Sequence, residues 1–79
     1  MKDLLEHLAR GLVEQPEAVR VTELQENDGS TLLELSVAED DYGKVIGRGG
    51  RTAAALRTVV KFAASQSGRR VFVDIVDTA

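Results

Sequence analysis

Residues 43–52 are Gly-Lys-Val-Ile-Gly-Arg-Gly-Gly-Arg-Thr, and this stretch decides how the rest of the chain is interpreted. Three glycines fall between Gly47 and Gly50, where the missing Cβ atoms permit positive φ angles and the close approach of a ligand. Arg48 lies inside this turn and Arg51 follows it, and the forked donors of a guanidinium group suit phosphate. The stretch therefore predicts a phosphate-binding turn between two helices, with the start of the second helix favouring an anion.

Two other phosphate-binding loops share part of this pattern. A Walker A loop would need a glycine at the place of Val45 and a lysine at the place of Arg51. A dinucleotide-binding fingerprint that starts at Gly47 would need its last glycine where Thr52 stands. Both loops also follow a strand, whereas the residues before Gly47 are predicted to be helical. The mismatches and the short chain weigh against both interpretations.

The hydrophobic pattern on either side of the turn predicts six elements in the order α-β-β-α-α-β. Pro16 ends the first helix, and Gly68 is a natural cap for the last one. Alternation in the first strand slips at Leu24, which is compatible with a bulge. The predicted elements are a helix over 2–14, strands over 19–25 and 31–37, helices over 40–46 and from 50 or 51 to 66, and a strand over 71–76. They predict an α+β fold in which residues 1–79 form one domain and helices cover one face of a three-stranded sheet.

The long helix after the turn has an apolar stripe. Its members recur at helical spacing, which predicts that they face the core. The stripe consists of Leu56, Val59, Val60 and Ala63, with Ala53 and Ala64 beside it.

The residue inventory argues against an enzyme or a metal site. The chain has no cysteine and a single histidine, so no thiolate or His-rich metal centre is expected. Glu39, Asp40 and Asp41 are consecutive on a predicted helix and point in different directions, which favours a solvated helix start. No nucleophile with an adjacent base is evident. We expect neither a metal nor a cofactor.

Charge is unevenly distributed along the chain. The net charge is −3, but residues 1–43 carry three basic and eleven acidic side chains, whereas residues 44–79 carry seven basic and two acidic ones. This asymmetry predicts one basic surface on an acidic body, and the local potential governs the attraction of a phosphate chain. No apolar run is long enough to span a bilayer and no signal peptide is evident, so a cytoplasmic protein is expected.

The run from Val45 to Arg51 resembles the KH signature, in which aliphatic residues precede a G-x-x-G turn that contains a basic residue. The element order matches the type II KH arrangement. More closely, the whole chain resembles the small stand-alone bacterial KH proteins of the KhpA (YlqC-like) family. The supporting segments, besides residues 43–53, are Gln15-Pro16-Glu17-Ala18-Val19, Leu56-Arg57-Thr58-Val59-Val60 and Val71-Phe72-Val73-Asp74-Ile75.

The resemblance implies a non-catalytic module that clamps about four nucleotides of single-stranded RNA. It assigns the backbone contact to Gly47, Arg48, Gly49 and Gly50, and flanking phosphate contacts to Lys44, Arg51 and Arg57. It implies that Val45, Ile46 and Ala53 form the floor of a base-binding groove, with the strand over 31–37 as its other wall. Many KH domains have a larger aliphatic residue at the position of Ala53, so the apolar floor of this chain departs from theirs in depth.

The resemblance also implies partners. It points to a homodimer or to pairing with a larger, multidomain KhpB-like protein, and to a role as a post-transcriptional regulator or RNA chaperone linked to cell elongation and shape. A different hypothesis is that the chain is a protein-interaction subunit that uses the KH fold mainly for dimerisation. Its small core and exposed strand edges make association plausible.

Overall fold

Alternating apolar residues on three strands build one side of a mixed sheet in the computed structural model, which describes residues 1–77. The sheet order is β1-β2-β3, with β1 and β2 antiparallel and β2 and β3 parallel. The elements are α1 (Lys2–Arg10), β1 (Arg20–Gln25), β2 (Thr31–Ser36), α2 (Tyr42–Ile46), α3 (Arg51–Ser65) and β3 (Val71–Ile75), with short 3-10 turns at Pro16–Ala18, Glu39–Asp41 and Arg48–Gly50. This confirms the predicted order α-β-β-α-α-β.

The core lies between the sheet and the helices on one of its faces. Leu33 and Leu35 of the central strand β2 are fully buried, and α3 contributes Leu56 and Val60 to the same cluster. The alternate residues of β2 and β3 face the other side of the sheet and are partly or largely exposed. The fold is therefore the predicted α+β arrangement, with a three-stranded sheet covered on one face.

The sequence Asp28-Gly29 is a strong turn signal, and a hairpin between β1 and β2 forms there. Gly29 takes a φ of 87°, and the Asp28 carboxylate accepts hydrogen bonds from the Ser30 backbone N–H and hydroxyl at 3.0 and 2.6 Å. The bulge at Leu24 is absent, because the register runs without a break from Arg20 opposite Ser36 to Gln25 opposite Thr31. Leu24 instead keeps the alternation and lies opposite Leu32, on the face without helices.

The prediction that the first helix extends to residue 14 is wrong, because α1 ends at Arg10. The backbone N–H groups of Glu14 and Gln15 turn away from the helix and donate to the two carboxylate oxygens of Asp41, at 3.1 and 3.0 Å. If the helix had continued, the Glu14 N–H would have donated to the carbonyl oxygen of Arg10 instead. Gly11, which follows the last helical residue, lowers the cost of stopping there.

Asp41 is not the solvated residue that the acidic run predicted. Its side chain is 1% exposed, and its Oδ1 lies 3.5 Å from Nζ of Lys44. Burial by itself would raise the pKa of Asp41, but the bonds from Glu14, Gln15 and Lys44 outweigh it and hold the pKa below the ordinary value of 3.8. The carboxylate thus ties the segment after α1 to the start of α2.

Protonation of Asp41 at low pH should therefore destabilise the fold. A carboxylate whose pKa is lower in the folded state stabilises fully above its unfolded pKa, and this contribution is lost as the pH falls below 3.8 towards the folded value. We expect Asp41→Asn to lower the free energy of unfolding at pH 7. The same substitution should reduce the further loss of stability between pH 7 and pH 2. Urea unfolding between pH 2 and pH 7 measures both effects.

Asp40→Asn is the matched control, since Asp40 is exposed on the same turn. Its pH profile should follow the parent. Equal pH profiles for the Asp41→Asn variant and the parent would contradict the role of this carboxylate.

Candidate nucleic-acid interface

The turn between α2 and α3 consists of the four residues from Gly47 to Gly50. At three of these positions the backbone has a conformation that only glycine adopts readily. Gly47 has φ 77° and ψ 171°, Gly49 has φ 63°, and Gly50 has φ 79° and directly precedes α3. A helix rather than a strand leads into the turn, as predicted, which excludes the strand-loop-helix context of the two alternative phosphate loops. The geometry is that of a G-x-x-G connection between two helices.

Gly47 is required for the close approach of the turn to α3. A Cβ atom at this position would lie 2.7 Å from Cβ and 2.8 Å from the backbone nitrogen of Thr52, which is closer than real Cβ contacts allow. At Gly49 and Gly50 a Cβ atom would meet no atom of residues 1–77 within 4 Å. Gly47 therefore shapes the turn from inside, while the other two glycines leave its outer surface uncovered.

The basic side chains around the turn differ in whether a carboxylate pairs with them. Within residues 1–77, neither Arg48 nor Arg51 has a carboxylate within ion-pair distance, and both side chains are exposed. Lys44 lies one turn before Gly47 and is paired with Asp41 at 3.5 Å, with 42% of its side chain exposed. Among the described residues no side chain caps the start of α3, so its first-turn N–H groups add positive potential beside the turn.

The residues predicted to floor a groove lie mostly inside the core. Val45 is fully buried and Ala53 is 3% exposed, whereas Ile46 is only partly buried. Val45 at the end of α2 and Ala53 at the start of α3 anchor the two helices that carry the turn. Of these three residues, Ile46 is the one with appreciable surface.

A groove starts beyond the turn and runs between α3 and the edge strand β3. It has a volume of about 450 Å³ and is open to solvent. The lining residues are Ala54, Arg57, Thr58, Lys61, Val71, Phe72 and Val73.

The strand over 31–37 does not form the second wall of this groove, contrary to the expectation. β2 is the middle strand, so its side chains face either the core or the face without helices. The edge strand β3 forms the wall instead. Arg57 of α3 reaches across and donates from Nε to the carbonyl oxygen of Val73 at 3.1 Å, which places its charge in the groove.

Sequence reasoning assigned Arg57 to the site but not Lys61, Val71, Phe72 or Val73. The sequence signal for the first of these was available, since Lys61 follows Arg57 by four residues and so lies on the same helix face. No comparable signal existed for the strand residues. Which strand borders α3 depends on the sheet order, and local periodicity does not reveal that order.

Residues 1–77 contain no group of three metal-ligating side chains and no helix that is long and apolar enough to cross a bilayer. What the fold and the turn define is a KH domain of type II, in which two helices joined by G-x-x-G pack on a three-stranded sheet. A family model of the KhpA/KhpB KH domain matches residues 2–75. The chain belongs to this KhpA/KhpB family, which is non-enzymatic.

Relatives along the full length support the assignment. The chain is 56% identical over 78 residues to the RNA-binding protein KhpA of Halalkalibacterium halodurans, covering 98% of this chain and 100% of that protein. It is 54% identical over 76 residues to KhpA of Mycobacterium bovis, with 96% and 90% covered. KhpA of Clostridium acetobutylicum is 50% identical over 76 residues, with 96% and 100% covered.

The different surroundings of Gly47 and Gly49 predict that substitution by alanine lowers the free energy of unfolding by different amounts at the two positions. Gly49→Ala should lose about 1–2 kcal/mol of unfolding free energy, the usual cost of a left-handed alanine. Gly47→Ala should lose clearly more, because its Cβ also collides with Thr52. Urea unfolding of both variants tests this, and equal losses would show that the contact with Thr52 does not constrain the turn.

Proposed function

We propose that this protein binds single-stranded RNA without catalysis and clamps about four nucleotides through the turn from Gly47 to Gly50. The observation that carries the proposal is the uncovered backbone of Gly49 and Gly50 beside two arginines that make no ion pair within residues 1–77. The relatives named RNA-binding protein KhpA add support from comparison.

The chemistry of the turn suits the sugar–phosphate chain. A phosphate that approaches Gly49 and Gly50 meets no Cβ atom, so it reaches the backbone directly. Arg48 and Arg51 supply two full positive charges, and the start of α3 adds the partial charge of the helix dipole. Lys44 contributes less, because Asp41 already neutralises part of its charge.

The groove between α3 and β3 receives the bases in this proposal. Arg57 and Lys61 supply charge on the α3 side, while Val71 and Val73 on the β3 side are only 4% and 8% exposed and form a narrow apolar base to the groove. This arrangement suits a strand whose phosphates lie along the charged rim and whose bases point inward. Val45 and Ala53 act from beneath by holding α2 and α3, and Ile46 is the floor residue that a base could touch.

The proposed cellular role follows from RNA binding in a single KH domain over residues 1–79. The protein would act in the cytoplasm as a post-transcriptional regulator or RNA chaperone connected with cell elongation and shape. A KhpB-like multidomain KH protein is the proposed larger partner. Sequencing of RNA crosslinked to the tagged protein would identify its targets.

Reversing the charge of the turn should weaken RNA binding. In the double variant with Arg48→Asp and Gly49→Asp, we expect at least about a tenfold loss of affinity for mixed-sequence single-stranded RNA, because two carboxylates replace groups that bind phosphate. The slope of log affinity against log salt should also fall by about 0.7 for each phosphate that the variant no longer neutralises. Fluorescence anisotropy at several salt concentrations measures both.

Arg10→Asp with Gly11→Asp is the matched control, since it makes the same two changes at the C-terminal end of α1, where Gly11 has an ordinary φ of −74°. This control should keep the affinity of the parent. Thermal unfolding by circular dichroism checks that both variants fold. Unchanged RNA affinity in a folded turn variant would refute the clamp.

Self-association is a second candidate function. It is favoured by an exposed apolar surface on α3 that includes a residue predicted to lie in the core. Val59 was predicted to be core but is 45% exposed, and Leu12 and Phe62 are 40% and 66% exposed. Leu12 and Val59 line a shallow apolar pocket of about 210 Å³ together with Leu8 and Ala55. This patch lies on the side of α3 away from the groove, so a second copy of the chain could cover it without blocking RNA.

Substitution of one patch residue should separate the two functions. We expect Val59→Glu to convert a dimer to a monomer, because a carboxylate buried against an apolar surface is costly. Lys61→Glu on the groove side of the same helix should keep the dimer mass and lose RNA affinity. Sedimentation equilibrium gives the mass; a monomeric parent, or a dimer that survives Val59→Glu, would rule out this interface.

A further inference from the structure

Phe72 is an exposed aromatic ring at the far end of the groove. It lies on β3 with 48% of its surface exposed, and it lines both the main groove and a smaller pocket of about 240 Å³ that continues past Lys61. A single exposed apolar residue is ordinary on a protein surface. Phe72 differs because basic side chains surround it on the groove side.

Arg70 is the closest of these basic residues. Its guanidinium carbon lies 5.9 Å from the centroid of the Phe72 ring, within the range of a cation–π contact. Arg70 also pairs with Asp28 at 3.7 Å, but both side chains are more than half exposed, so a phosphate could compete for this arginine. Lys61 lines both pockets and adds a second cation.

We infer that Phe72, with Arg70 beside it, forms a stacking subsite for one nucleobase at the distal end of the groove. This inference rests on the proposed RNA binding and extends it. A base presents a flat π-face whatever its identity, and stacking on an exposed aromatic ring is a recurrent way to hold single strands. The neighbouring cations Arg70 and Lys61 would hold the phosphates that flank the stacked base.

The distance from the turn determines which ligands reach this subsite. Lys61 lies ten residues beyond Arg51 on α3, which is about 15 Å along the helix axis. The backbone clamp at the turn holds only about four nucleotides. A strand that runs from the turn along the groove therefore passes over Phe72, and a decanucleotide is long enough to do so.

Charge on the open face of the sheet restricts the path of the strand. Asp74 follows Phe72 by two residues on the same face of β3, and Glu34 lies opposite Asp74 in the register. These acids repel phosphate, so the phosphates stay on the α3 side of the β3 edge and only a base extends over Phe72. They also make the open face itself a poor surface for RNA. A protein segment that covers Phe72 from this face is the alternative occupant, and the test distinguishes it.

The test uses two substitutions of Phe72 in the full chain. Phe72→Leu keeps an apolar side chain but removes the π-face, and it should weaken binding of a mixed-sequence decanucleotide by about 5-fold to 100-fold. Phe72→Trp should retain the affinity. Because the parent chain contains no tryptophan, the fluorescence of this variant reports on position 72 alone. Binding of the decanucleotide should quench this fluorescence.

Failure of the subsite and failure of RNA binding give different results. If the parent does not bind the decanucleotide, the proposed function and the subsite are both refuted. If the Arg48 and Gly49 double variant loses binding while Phe72→Leu binds the decanucleotide like the parent, only the subsite is refuted. Unquenched fluorescence of the Phe72→Trp variant with the decanucleotide bound also refutes it. So does a Phe72→Leu variant that changes only the sedimentation mass, which would make Phe72 a protein contact.

Discussion

The contact between Gly47 and the first turn of α3 is the constraint on which the site depends. With φ 77° and ψ 171°, the backbone of Gly47 passes so near Thr52 that a Cβ atom has no room. Two helices can therefore meet within four residues, each anchored in the core by a buried side chain, Val45 on one and Ala53 on the other. The outer glycines stay uncovered as a result, and the turn presents backbone and charge from a rigid support.

The three faces of α3 give this small domain more than one surface. One face packs Leu56 and Val60 into the core, a second presents Arg57 and Lys61 to the groove, and a third exposes Val59. A helix that packs on only one side of a sheet has enough circumference for all three, because its neighbours cover only part of its surface. Nucleic-acid binding and association can thus occupy different sides of a single element.

Local pairing of charges explains how a protein with a net charge of −3 can present a basic turn. Acids from the first half of the chain pair with three cations of the second half: Asp41 with Lys44, Glu23 with Arg69 and Asp28 with Arg70. Within residues 1–77, Arg48 and Arg51 are left without such partners. The field that a phosphate meets at the turn is consequently set by these two arginines and the start of α3 rather than by the total charge.

The sequence by itself determined the element order, the hairpin at Asp28-Gly29 and the glycine turn, because each rests on contacts within a few residues. Tertiary structure decided where α1 ends, since the buried carboxylate of Asp41 lies 27 positions from Glu14 and captures its N–H. It also decided that Val59 is exposed and that β3 borders the groove. Helical periodicity identifies apolar positions, but only the placement of neighbouring elements determines which of them are covered.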